Sequence, residues 1–303
     1  MFESTLRIVE GDTLAAYVIP IFLLAMVVEV VWAQVTRRKI YLAADTATSL
    51  TMLIVSAIVQ IAGKLAAVPV MIWCHEISPL RDVVERQPWA WLVLLFLDDL
   101  TYYWFHRLNH EVRFMWAGHV NHHSSEFLHY GTALRQGVGE EAYKFMFWIW
   151  LPLLGFDPAM VLLMMGLNLT FQFWVHTEAV RRLPAWYEAI FNTPSHHRVH
   201  HGSNARYLDR NHAGIFIVWD KLFGTFSAEL DEEPVEYGLT ENLGTFNPLT
   251  VLVHGYTDLL RDMRRADSWR DRLRYLLMPP GWSHDGPDKR ASTLRAKAGL
   301  GGS

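Results

Sequence analysis

"WAWLVLLFLDDLTYYWFHRLNH", Trp89 to His110, runs without a break from an apolar segment into two histidines four residues apart. Asp98 and Asp99 are the only charged residues before His106. An apolar run of this length predicts a membrane helix. His106 and His110, four apart, then share one face of its last turns, close enough to hold a common ion. The stretch therefore predicts an α-helical membrane protein with metal chemistry where a helix leaves the bilayer.

The same reading extends in both directions. Leu14 to Val35 is apolar throughout and long enough to span. Glu29 inside it is costly in lipid, so it is expected to face protein or the interface. The N-terminal flank is not basic and no small-x-small site follows, so a cleaved signal peptide is not expected. "RRK" (Arg37–Lys39) comes next, and the positive-inside tendency puts that end in the cytoplasm. A second run, Ala43 to Trp73, is interrupted by Gly63, Lys64 and Pro69. It predicts one long tilted helix, or a helix plus an interfacial segment. A fourth apolar region, from about Phe145 to Val175, is broken by Pro152, Gly155 and Pro158 and predicts a helical hairpin. Three crossings and a hairpin place every histidine cluster on the "RRK" side. The expected architecture is an all-α integral membrane protein with about four transmembrane helices, the last a hairpin, and a cytoplasmic helical cap. It reads as one domain over residues 1–303: an N-terminal membrane region (12–88), a catalytic core (89–226), and a C-terminal cap and tail (227–303). Leu259 to Met278 alternates arginines with leucines and predicts an amphipathic helix on either the membrane or the cap surface. The tail after Pro279 is expected to be flexible.

Composition agrees with this. Hydrophobic residues make up 51% of the chain and charged ones only 19%, with 13 Trp and 16 Phe. A net charge of −4 gives no reason to expect nucleic acid. The single cysteine, Cys74, excludes an intramolecular disulfide and any multi-thiolate metal site.

Beyond His106 and His110, "HVNHH" carries His119, His122 and His123, and "SHHRVHHG" carries His196, His197, His200 and His201. The i, i+3, i+4 spacing in each marks one helical face. His176 closes the fourth apolar region. A single histidine is most often a hydrogen-bonded structural residue. Three clusters with one-face spacing point instead to metal, because neutral imidazole is the commonest metal ligand. Nine well-placed rings exceed the needs of one ion and match two. Imidazole suits zinc, copper, iron and nickel, so the ring set does not name the metal. A metalloprotease would need Glu after the first histidine, where Arg107 stands. A carboxylate-bridged bundle would need two Glu-x-x-His pairs, and only Glu126–His129 is present. A transporter would place ligands within the spanning helices. What remains is a histidine-rich dinuclear centre beside a membrane, suited to oxygen activation on a lipid.

The order H-x3-H, H-x2-H-H, H-x2-H-H after apolar helices resembles the fatty acid hydroxylase and sterol desaturase superfamily of membrane non-haem di-iron oxygenases. "TALRQ", "FQFWVHTE", "NTPSHHRVHHG" and "WDKLFGTF" resemble its ether-lipid-cleaving branch most, over roughly Asp99 to Phe226. The resemblance implies metal ligands at His106, His110, His119, His122, His123, His197, His200 and His201, with His176 a further one. His196 is a ligand or a partner to one. His129 stands where that pattern has Asn, and His212 where it has Tyr; each is a candidate for the metal shell or a hydrogen-bonding replacement. Asp99 shares a face with His106, two turns on. With Glu126, Glu178 and Asp220 it is a candidate to orient a ligating ring through its second nitrogen; ion pairs with Arg107, Arg135 or Arg198 are the alternative.

By resemblance the cofactors are two iron ions, which zinc can replace on purification, together with O2. The electrons come from an external donor, tetrahydrobiopterin being the one the resemblance implies. The partners are a lipid substrate and the membrane. The reaction is hydroxylation beside the ether oxygen of an O-alkylglycerol, giving a hemiacetal that collapses to aldehyde and glycerol. A sterol, carotenoid or fatty acyl hydroxylase or desaturase is the second reading, and a zinc hydrolase or metal-binding protein the third. No substrate-binding residue can be assigned. The aromatic stretches "YYWF", "FMFWIW" and "FQFW" read as interface belts and core, or as walls of a lipid channel.

Overall fold

The computed structural model describes residues 10–84 and 87–300, with side chains from residue 16 onward. The ends of the single domain expected over 1–303, and residues 85 and 86 within its N-terminal region, lie outside the described residues.

The described chain is helical, joined only by isolated β-bridges. Helix α1 (Glu10–Val35) and helix α2 (Ala43–Glu76) are the two described helices long and apolar enough to cross a membrane. Both turn apolar side chains outward. Ile21, Leu24, Val28 and Val31 of α1 and Ile54, Ile58 and Leu65 of α2 are more than half exposed, whereas Glu29, Asp45, Ser49 and Ser56 are buried. Polar inside and apolar outside suits a lipid solvent. Ala43 to Trp73 proves to be part of one helix that continues through Pro69. Its 34 residues span about 50 Å, beyond a hydrocarbon core of ~30 Å, so one end stands clear of it.

Helix α3 (Pro88–Glu111) contains the opening stretch. Pro at its start costs nothing, because that N–H would be unpaired anyway. Val112 is extended (φ −116°, ψ 116°), which ends α3 and redirects the chain into α4 (Arg113–His123). The apolar region from Phe145 does not form two matched helices. Its first leg is short and irregular, a 3-10 turn at Lys144–Trp148 and a helical turn at Trp150–Leu153. Gly155, at φ +94°, then reverses the chain, and a β-carbon there would lie 2.7 Å from the Leu80 carbonyl. The second leg is α5 (Pro158–Trp174), whose Asp157 caps Ala159 N–H. Met71, Leu94, Phe105, Trp148, Leu151, Val161 and Met164 form the core between these legs, α2 and α3.

Beyond α5 lie α6 (Pro194–His200), α7 (Val218–Phe223), α8 (Pro248–Arg265) and α9 (Trp269–Leu277). The amphipathic stretch Leu259–Met278 is thus two helices, parted at Ala266. The tail after Pro279 is packed rather than loose. Trp282 meets the Tyr275 ring, Lys289 N–H donates to Gly281 O, and Arg295 donates to Leu208 O.

Candidate metal centre

The ends of α1, α3 and α5 and the start of α2 meet in one layer. There Glu29 of α1 and Asp45, Thr48 and Ser49 of α2 are buried, and there every motif histidine lies. His106 and His110 occupy the last turns of α3, and α4 carries His119, His122 and His123. His176 follows α5 directly. His197 and His200 are in α6, which has Pro at its start and Thr193 accepting His196 N–H; His201 is its C-cap. All nine rings are buried.

They form two groups. His106, His110, His119, His123 and His200 make one, and His122, His176, His197 and His201 the other; in each, one nitrogen per ring lies within 4.8 Å of all the rest. Nearest Nε2–Nε2 distances are 3.2 Å for His106–His119 and His119–His123, 2.9 Å for His176–His197 and 3.1 Å for His197–His201. Imidazoles at ~2.1 Å from a common ion have nitrogens about 3 Å apart. The groups adjoin, with the His123 and His201 rings stacked at 4.5 Å.

The outward nitrogens set the tautomers. Nδ1–H donates to a main-chain carbonyl in four rings: His106 to His212 O (2.9 Å), His122 to Arg135 O (2.9 Å), His176 to Gln172 O (2.8 Å) and His200 to Arg210 O (3.0 Å). His119 Nδ1 meets Glu140 at 2.7 Å and His110 Nδ1 meets Asp209 at 3.3 Å. In these six rings Nε2 is thereby left as a lone pair pointing inward, the form a metal requires. Nε2 of His110 and His200 has no hydrogen-bond partner among the described residues. Burial, and then the neighbouring imidazoles, hold the His123, His197, His200 and His201 rings well below the usual histidine range and bring His122 and His176 to about 3. Burial alone brings His119 to about 3. Burial likewise pushes Glu140 up to about 8 and Asp209 up to about 7. Neutral rings with inward lone pairs, backed by acids short of positive charge, are what a pair of cations would complete. The residues fit the group.

The loop that carries His212 is held by two acids. Asp220 accepts His212 and Ala213 N–H, both at 2.8 Å. Asp99 accepts Ile215 N–H (2.7 Å), Phe216 N–H (2.9 Å) and Trp219 Nε1–H (2.9 Å). Gly214 fits between, since a β-carbon there would meet Asn168 Oδ1 at 2.5 Å and Asp99 Oδ1 at 2.7 Å. Among the described residues, Asp99 and Asp220 thus take main-chain, indole and hydroxyl donors rather than a histidine ring; they fix the loop whose carbonyl receives His106. Glu126 is exposed, and Glu178 pairs with Arg38 at 3.5 Å. The His196 ring lies against Phe226, outside both groups. His129 stacks on Tyr41 and lies 3.9 Å from Asp45, also outside them. The His212 ring is 5.0 Å from that of His110, at the edge of the five-ring group.

Sequence reasoning missed Glu140, Asp209 and the part played by Glu29. Glu140 was findable as one of a pair of acids, "GEEA", just before an apolar run. Asp209 sits at φ +51° in a loop and has no spacing signal. Glu29 was singled out only for its cost. Its carboxylate accepts Tyr41 Oη–H (2.5 Å), Tyr130 N–H (2.8 Å) and the Thr177 hydroxyl, fastening α1 to the turn after His176.

Two cavities reach this layer. One, of about 630 Å³, has His110, His123, His200 and His201 at one end and Trp116, Tyr275, Trp282 and Arg265 among its walls. Among the described residues, none before His110 lines it. The other, of about 140 Å³, lies between α2, α3 and α5 and is lined by Phe105, Trp148, Leu162, Met165 and Leu169, with Glu140 and Gln172 at its polar end.

Two adjoining nests of buried imidazole at the end of apolar helices define a class. Residues 91–225 match the fatty acid hydroxylase family model, and the chain belongs to that family. Among individual proteins it is similar to the alkylglycerol monooxygenases of Homo sapiens (37% identity over 271 residues; 89% of this chain, 59% of that one) and Danio rerio (38% over 243 residues; 80% and 54%). That of Xenopus tropicalis is 35% identical over 268 residues, covering 88% and 58%. The chain thus spans little more than half the length of these relatives. No solved structure matches it significantly.

Proposed function

We propose that the chain is a multi-pass membrane monooxygenase with a dinuclear non-haem iron centre, and that it hydroxylates the ether-bearing carbon of O-alkylglycerol lipids. The observation carrying this is the pair of imidazole groups with inward lone pairs at the end of apolar helices; the similarity to alkylglycerol monooxygenases chooses the substrate class. The nine motif histidines would hold the two irons, five rings on one and four on the other. Iron supplies the oxidation: with O2 and two electrons, one oxygen atom enters a C–H bond and the other leaves as water. The hydroxylated carbon is then a hemiacetal, which breaks into a fatty aldehyde and free glycerol.

The protein's residues do the rest. Glu140, Asp209 and the carbonyls of 135, 172, 210 and 212 hold the imidazole tautomers. Phe105, Trp148, Leu162 and Met165 receive the alkyl chain from the bilayer, where each buried methylene contributes about 0.8 kcal/mol. The large cavity, walled by α4, α8 and α9, admits the soluble reductant, of the tetrahydropterin class. With α3 and the 145–175 hairpin crossing as well as α1 and α2, the membrane is passed about four times. Arg38, beside Glu178 two residues after His176, puts the "RRK" loop at the histidine end, which the positive-inside tendency makes cytoplasmic.

The test is direct. Iron-loaded protein in lipid nanodiscs is given O2, a tetrahydropterin and a 1-O-alkylglycerol, and fatty aldehyde and oxygen uptake are measured. Equimolar aldehyde and oxygen loss is expected. Oxidation of a sterol or fatty acyl chain instead would move the substrate class. Tightly held zinc, with no oxygen uptake on any lipid after iron loading, would end the oxygenase reading.

A further inference from the structure

Helices α8 and α9 turn an apolar face away from the protein. On α9 the inward residue is Tyr275, 3% exposed, packed with Leu259, Ala266 and Ala117. Trp269, Leu273 and Leu277, four apart, form the outward stripe and are 69%, 45% and 58% exposed. At ~100° per residue, Arg272 falls on one side of that stripe and Arg270 and Arg274 on the other. All three arginines are exposed. On α8, Leu249, Val253 and Leu260 repeat the outward stripe, with exposed Arg261 and Arg264 beside it.

We infer that α9 and the outer face of α8 lie in the membrane interface, their apolar stripes among acyl chains and their arginines on anionic lipid phosphates. The inference rests on reading α1 and α2 as membrane spans and is independent of the oxygenase chemistry. Two observations choose a lipid surface over a protein partner. The first is position. The Thr48 hydroxyl, near the start of α2, donates to Phe246 O just before α8. Arg113 N–H, where α3 has just ended, donates to Met278 O just after α9 (3.2 Å). The Arg113 guanidinium also pairs with Asp262 of α8 and lies over Tyr275. The helix pair is therefore stapled at both ends to the level where the apolar helices stop. The second is charge: a Trp- and Leu-bearing stripe bordered by arginine on both sides matches the headgroup boundary, apolar below and phosphate above.

Depth measurement on the full chain tests this. In a Cys74→Ser background, single cysteines at Trp269, Leu273 and Leu277 carry a spin label in nanodiscs of zwitterionic lipid with one quarter phosphatidylglycerol. Val28→Cys on α1 gives the lipid reference and Asp231→Cys the water reference. The three stripe positions should read rich in oxygen and poor in a water-soluble nickel chelate, as Val28 does. Nickel accessibility like that of Asp231, or shielding from both reagents as under a protein partner, would overturn the inference. Arg270→Glu, Arg272→Glu and Arg274→Glu, made singly, should each weaken co-purification of phosphatidylglycerol about fivefold. An unchanged lipid count would remove the anionic-lipid part. Lipid depth lost from the stripe but kept at Val28 separates failure here from failure of the membrane reading itself.

Discussion

The five-ring and four-ring groups are built from the same motifs, yet they are held differently. Two rings of the five-ring group are backed by carboxylates, His119 by Glu140 and His110 by Asp209, while His106 and His200 lean on carbonyls. In the four-ring group, His122 and His176 lean on the Arg135 and Gln172 carbonyls, while Glu29 of α1 secures the turn after His176. A carboxylate makes the opposite nitrogen a stronger donor and adds negative charge beside the ion, whereas a carbonyl only orients the ring. The five-ring group should therefore be the tighter cation site, and the four-ring group the one more sensitive to how the apolar helices are packed.

Removing a ring should produce the largest effect. His200→Ala in one group and His197→Ala in the other are each expected to reduce bound metal from two ions per chain to one. Turnover should fall beyond the ~10–100-fold typical of losing an orienting partner. Elemental analysis alongside lipid turnover checks this, and loss of both ions from either variant would make the groups one cooperative site. Glu140→Gln keeps the shape but weakens the acceptor. It should loosen only the five-ring site, by about 10–100-fold in a chelator competition with zinc or cobalt; equal loosening of both sites would erase the distinction. Glu29→Leu leaves Tyr130 N–H and the Tyr41 and Thr177 hydroxyls without their acceptor. It should destabilise the protein by about 1–3 kcal/mol and release metal first from the four-ring group. Thermal unfolding and metal counting on the same sample measure both, and Thr177→Val should show a weaker version. His212→Tyr should do least, within about threefold in metal affinity, under 1 kcal/mol, because His106 uses the carbonyl at that position and not the ring. A larger loss would bring the His212 side chain into the site.

These distinctions divide into those spacing displays and those it does not. The motif rings were legible because the i, i+3, i+4 repeat is local geometry. The apolar helices were legible from length and composition. The orienting carboxylates were not, because a hydrogen bond between His119 and Glu140 joins positions twenty-one apart with no helical period between them. Asp99 shows the reverse hazard. Two turns from His106 along one face, it is by spacing a candidate to orient that ring or to form an ion pair, and it holds the 212–219 loop instead. The hairpin from Phe145 was legible as apolar, but the irregularity of its first leg depends on close packing against α2 and on the reversal at Gly155.

By itself the sequence determined that this is a helical protein with long apolar segments ahead of its histidines and enough one-face histidine for two ions. Periodicity and hydropathy are properties of neighbouring residues and survive without a fold. Only the tertiary structure decided which rings gather into one group, where their second nitrogens turn, and that a glutamate from the first apolar helix braces the turn after the last. Those depend on contacts between residues far apart in the chain, and such contacts exist only once the buried polar groups have found one another.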